Sequence, residues 1–246
     1  MQKNTILYVI IAALAGLIAG FLLTNFFNRS EMNALRAQVE QSKTSKPADT
    51  KGSEDNTLSP DEIKAKIAEA DKNPTNLSFQ KDLGIALYRY SAMKQDPALL
   101  TEALRILTRA NSIDDKDFDV LVALGNAHFD TGYDKDDAAS FEKARTIYTK
   151  ALGQKPDDPD VRTDLGLTYF VQKPPDYDKA AAELLRVSRG NPKHERSLQF
   201  LVQIYVKQNK PADAEKTLNQ LKSINPSNPA IADLTQQVAA AKGGAK

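Results

Sequence analysis

Small and apolar residues recur at i, i+4 and i+7 in four stretches of this chain. They are Ala103, Leu107, Ala110; Ala144, Tyr148, Ala151; Ala180, Leu184, Val187; and Ala214, Leu218, Leu221. That period puts each trio on one face of a helix. Ahead of the first three stretches lies another helical pattern with a Leu-Gly pair inside it, in "FQKDLGIALY", "VLVALGNAHF" and "TDLGLTYF". Their glycines, Gly84, Gly125 and Gly166, stand 41 residues apart. A glycine inside a helix costs about 1 kcal/mol against alanine, so its repetition predicts that two helix backbones approach closely at each of these points. Val202 holds the same place before the fourth stretch. Each second helix ends at a turn residue, Asp115, Pro156, Pro192 or Pro226, and Pro74 ends a partial unit before them.

Leu-Gly with an aromatic or long residue three positions on (Leu87, His128, Tyr169), then Ala, Leu or an aromatic, and Ala on a second helix, then Pro, resembles the tetratricopeptide repeat. The resemblance covers roughly residues 75–228, and it implies an all-α solenoid of about four helical hairpins. Gly84, Gly125, Gly166, Ala103, Ala144, Ala180, Ala214, Pro156, Pro192 and Pro226 would define the repeats. A 41-residue period exceeds the family's ~34. Asp96-Pro97 reads as an N-cap followed by a first helical residue, so the extra residues are expected to lengthen the second helices by about two turns. Residues 58–74 and 229–242 are expected to form capping helices, and 243–246 a disordered tail.

The family's geometry implies a concave groove lined by first helices and suited to an extended protein or peptide partner. The positions facing or bordering it would be Ile85, Asn126, Leu167 and Gln203; then Tyr88, Phe129, Phe170 and Val206; then Arg89, Asp130, Val171 and Lys207. The alternative is that some of these aromatics only pack one repeat on the next. On the groove reading, replacing Phe129 and Phe170 by alanine abolishes capture and leaves helical content unchanged. A clamp for a C-terminal carboxylate, as some relatives carry, is not expected. Lys81 matches it, but Ile85 and Ala123 stand where Asn is needed, and Asp160 and Asp164 where cations are needed.

A different pattern fills the amino terminus. Residues 5–27 contain no charge and as a helix would extend about 34 Å, enough for a hydrocarbon core of about 30 Å. The apolar run outlasts the ~7–15 residues of a signal peptide, so an uncleaved single-pass anchor in the lipid bilayer is expected after a short tail at 1–4. Ala12, Gly16 and Gly20 form a small-residue ridge through which two copies could pair as a weak homodimer. Lys3 before the span and Arg29 and Arg36 after it nearly balance the positive-inside count. The orientation taken places the repeat domain outside the cytoplasm, in the periplasm of a bacterial cell. Residues 28–57, with a possible short helix and a charged Ser/Thr-rich stretch, read as a flexible linker.

Composition narrows the chemistry. Thirty-three basic and 32 acidic residues give a net charge of +1, which offers nucleic acid no bulk attraction. Without cysteine there are no disulfides, thiolate metal sites or Cys nucleophiles. His128 and His194 are far apart in sequence, and His128 sits at a packed aromatic position. Acidic runs at 134–137 and 157–160 lack the ligand alternation of a calcium loop. No nucleotide-binding, metalloprotease or nucleophile-elbow motif occurs, so no catalytic residue, metal or cofactor is expected and the chain reads as a non-enzyme. Anchor, linker and repeats together are similar to the cytochrome c maturation and assembly factors of the NrfG/CcmI type. That resemblance implies a scaffold holding apoprotein during assembly of a membrane or periplasmic complex; an enzyme or ligand-binding accessory is the remaining alternative.

Overall fold

Most of the helices begin on a side chain able to accept from first-turn amides. In the computed structural model, which describes residues 59–244, Ser59 opens α1 (Pro60–Lys72) with a capping box shared with Glu62. Asn76 caps α2 (Leu77–Lys94), Asp96 caps α3 (Pro97–Ile113) and Asp117 caps α4 (Phe118–Lys135). Asp137 caps α5 (Ala138–Gln154), Asp158 caps α6 (Pro159–Val171), Asp176 caps α7 (Tyr177–Gly190) and His194 caps α8 (Glu195–Lys207). The acidic runs thus contain helix starts. α9 (Pro211–Ile224) has no side-chain cap but begins on proline, and α10 (Ile231–Gly244) follows it.

The described residues form ten helices and no strand. α1 belongs to a compact unit that ends at Asn73, and the nine helices from α2 onward form a second. The expected span 5–27, with Ala12, Gly16 and Gly20, and the expected linker 28–57 lie outside the described residues. Among those described, no helix is long and apolar enough to cross a membrane. α10 continues through Gly244, two residues further than the expected end at 242.

In the second unit α2 pairs with α3, α4 with α5, α6 with α7 and α8 with α9, and α10 packs on α8 and α9. All twelve residues of the four Ala/Leu/Tyr trios are buried at these pairings. Fully removing a leucine from water stabilises by roughly 1.5–3 kcal/mol, so this seam is the main apolar contribution to the hairpins.

The long period has a different cause from the one expected. First helices α2 and α4 have 18 residues against 13 in α6 and α8, whereas second helices α3 and α5 have 17 against 14 in α7 and α9. The extension is therefore shared by both arms, and the larger part lies on the first helix. Its reason is an additional packing layer at the hairpin tip. Ser91 on α2 and Gly132 on α4 are buried, as are Leu100 on α3 and Phe141 on α5. A Cβ on Gly132 would lie 2.9 Å from the Phe141 ring. Left-handed Gln95 and Asp136 then reverse the chain, and the next amides, of Asp96 and Asp137, reach back to the Ser91 and Gly132 carbonyls at 3.0 Å.

Candidate functional site

Each first helix touches the next one, α2 with α4, α4 with α6 and α6 with α8, while no comparable contact joins successive second helices among the described residues. Stacked hairpins whose first helices lie closer together curve towards that side, so the first helices line the concave face.

The expected groove residues divide into two groups on this face. Ile85, Arg89, Asn126, Asp130, Phe170, Val171, Gln203 and Val206 are half-buried, and Lys207 is exposed. Tyr88, Phe129 and Leu167 are not available as surface: they keep 8%, 8% and 1% of their exposure. Phe129 turns into its own hairpin, with its ring edge-on to Phe141 at 5.8 Å. Phe170 lies between Tyr177 of its own second helix at 6.0 Å and Phe200 of the next first helix at 6.2 Å. The aromatics therefore pack repeats together, and the face that remains is more polar than an apolar stripe.

Polar side chains from successive first helices meet along it. The Tyr88 hydroxyl donates to Asp130 Oδ2 at 3.0 Å, and the buried Tyr148 donates from the second helix to Asn126 Oδ1 at 2.7 Å. Arg196 of α8 donates to Asp164 of α6, with 24% and 16% of those side chains exposed. His194 lies 3.1 Å from Asp160 through Nε2 while its Nδ1 accepts from the Ser197 amide. That pair of contacts calls for the proton on Nε2. The hydrogen bond from His194 holds the Asp160 carboxyl below its usual range. Lys81, the lone match to a carboxylate clamp, is held by Asp117 and Asp119 at 2.8 Å.

Burial pushes Asp130 up to about 7, a shift that Asp134 and Asp164 add to and the Tyr88 hydroxyl opposes. Burial also raises Asp164, against the pull of Arg196. A carboxyl with a folded pKa above its unfolded value binds more protons when folded. Its contribution to stability is therefore full below pH ~4 and falls as pH rises to ~7. Asp130→Asn is expected to remove that slope, leaving the chain about 1–2 kcal/mol more stable than wild type near pH 8 once residual water access is allowed for. Urea melts at several pH values measure it, and parallel curves for the two proteins would contradict it.

The Asp164–Arg196 pair is expected to respond in the opposite way to loss of one partner. Arg196→Met strands a half-buried carboxylate and should lower stability by about 1.5 kcal/mol near pH 8, less than for a fully buried pair. The deficit should shrink in acid, where Asp164 becomes neutral, and a pH-independent deficit in the same melts would assign it to packing instead.

His128 is half-buried, and burial with nearby Lys143 lowers its pKa. Among the described residues no group of three or more His, Asp or Glu is placed to hold a metal ion.

Residues 175–238 match the sequence profile of the tetratricopeptide repeat family. The matched stretch holds α7, α8 and α9; the two lengthened hairpins and α6 lie outside it. No curated protein sequence matches the chain at a significant level. Among solved structures, that of MamA aligns with a TM-score of 0.54 at 19% identity, over 67% of this chain and 81% of that one. A tetratricopeptide repeat protein from Parabacteroides merdae aligns with 0.57 at 20% identity, over 74% and 65%. PilF of Pseudomonas aeruginosa aligns with 0.54 at 20% identity, over 68% and 71%. The chain thus carries a tetratricopeptide-repeat fold, recognised in its sequence over residues 175–238 and in its structure well beyond them.

Proposed function

We propose that this chain is a non-enzymatic scaffold that holds a protein partner on the concave face of its first helices and is tethered to a membrane by residues 5–27. The observation that carries the reading is the row of half-buried residues Ile85, Asn126, Asp130, Val171 and Gln203 along first helices packed side by side. Such a row offers a continuous surface to an extended segment, which ordered side chains bind with little loss of their own freedom. The tetratricopeptide fold supports it, because repeats of this kind commonly present their concave face to protein partners. The charge-free run at 5–27 supports the tether, and on this reading we take the repeat domain to lie outside the cytoplasm.

A photo-crosslinking residue at Ile85 or Gln203 is expected to give a discrete partner adduct in cells. The same residue at Thr149 or Arg186, on second helices, is expected to give none. The reverse pattern would move the binding surface to the convex side. A carboxy-terminal reporter fusion decides the topology, and a cytoplasmic signal would overturn the extracytoplasmic placement.

A further inference from the structure

Half-buried carboxylates on this face are matched by cations of the chain itself, one repeat to the next. Asp117 meets Lys81 and Asp164 meets Arg196. Asp130 interrupts the series. Among the described residues its hydrogen-bond partner is the neutral hydroxyl of Tyr88, and it has no ion-pair partner. The groups that act on it are Tyr88 from α2, Asp134 from its own helix, Tyr148 from α5 and Asp164 from α6, with Arg196 of α8 beyond Asp164. The local balance is negative.

An ionised carboxylate that loses water is strongly disfavoured unless a counter-charge arrives with whatever displaces the water. A neutral or acidic segment laid along the groove would leave Asp130 worse off, and a cationic one would complete the series of pairs. We propose that the bound segment of the protein partner presents a lysine or arginine side chain to Asp130, beside Tyr88 and Asp164. This rests on the concave-face reading above and names the chemistry it selects. It also couples capture to protons: Asp130 shares its site with a proton near neutral pH, so arrival of the cation expels that proton. Discrimination against acidic segments follows from the same carboxylate.

The test uses the full-length chain in detergent and two capped peptides, Ala-Lys-Ala-Arg-Ala-Lys-Ala and its counterpart with glutamine at the charged positions. Calorimetry in two buffers of different ionisation enthalpy reads affinity and proton release together. The cationic peptide is expected to bind near pH 8 about tenfold more tightly than near pH 5.5, and about tenfold more tightly than it binds Asp130→Asn. Proton release should be present near pH 7 for wild type and absent for Asp130→Asn. Equal affinity for the two proteins, equal affinity of the glutamine peptide, or no binding of the cationic peptide at either pH overturns the proposal. Crosslinking from Ile85 and Gln203 does not depend on Asp130. Adducts there, with peptide affinity indifferent to Asp130, would leave the groove reading standing and remove this one.

Discussion

Phe129→Ala will destabilise the repeat domain by about 3–5 kcal/mol, the usual range for removing a buried phenylalanine. It will not act as a silent surface change. The ring is 8% exposed and stands edge-on to Phe141, which itself fills the space left open by Gly132. Alanine removes one wall of that layer, and neither α4 nor α5 can close the gap, because the tip is fixed by the left-handed turn at Asp136 and the Asp137 amide bonded to Gly132. Urea unfolding followed by circular dichroism should place the midpoint well below that of wild type, with helical signal lost first from the amino-terminal hairpins if the array unfolds in steps. Phe170→Ala should be milder, since that ring is only half-buried between Tyr177 and Phe200. A double alanine variant with undiminished stability would return both rings to the surface and restore the apolar groove expected from the sequence.

The fold was legible because the signal is local. Ala103, Leu107 and Ala110, and the three trios like them, lie within one helix, so their period alone reports the buried face. The groove was harder for two physical reasons. A position counted from Leu-Gly gives the direction of a side chain but not the size of its neighbours, which is why Phe129 and Leu167 were placed on a surface they do not reach. The pairs that shape the floor, Tyr88 with Asp130 and Arg196 with Asp164, are separated by 42 and 32 residues. The first spans a lengthened hairpin and the second a short one, so no single repeat period gives both. The division of the extension between the two helices has a signal of its own in the sequence: small Ser91 and Gly132 stand one extra layer along, with Leu100 and Phe141 at the matching places on the partner helices.

Gly125→Ala is expected to cost about 2 kcal/mol, while Gly166→Ala should stay within about 0.5 kcal/mol of wild type, although both change the same motif position. Alanine gains about 1 kcal/mol of helix propensity at either site. At Gly125 the new methyl would lie 2.6 Å from Tyr148 Cε1 and 2.8 Å from Cδ1. The tyrosine is 1% exposed and its hydroxyl donates to Asn126 on the same first helix, so the ring is held at both ends. Overpacking of this kind costs about 1–3 kcal/mol, and a ring that cannot retreat places it at the upper end. At Gly166 the nearest atoms are Glu183 Cβ at 3.3 Å and the Ala180 carbonyl oxygen at 3.4 Å, distances that a small shift accommodates. The fourth hairpin already carries Val202 at this position with Leu218 in place of the tyrosine, and both are buried. Gly125→Ala combined with Tyr148→Leu should therefore lose less than the sum of the two single changes, a favourable coupling of about 1 kcal/mol in a double-mutant cycle. Additive losses would mean that the glycine answers to the helix backbones themselves and not to the ring lying across it.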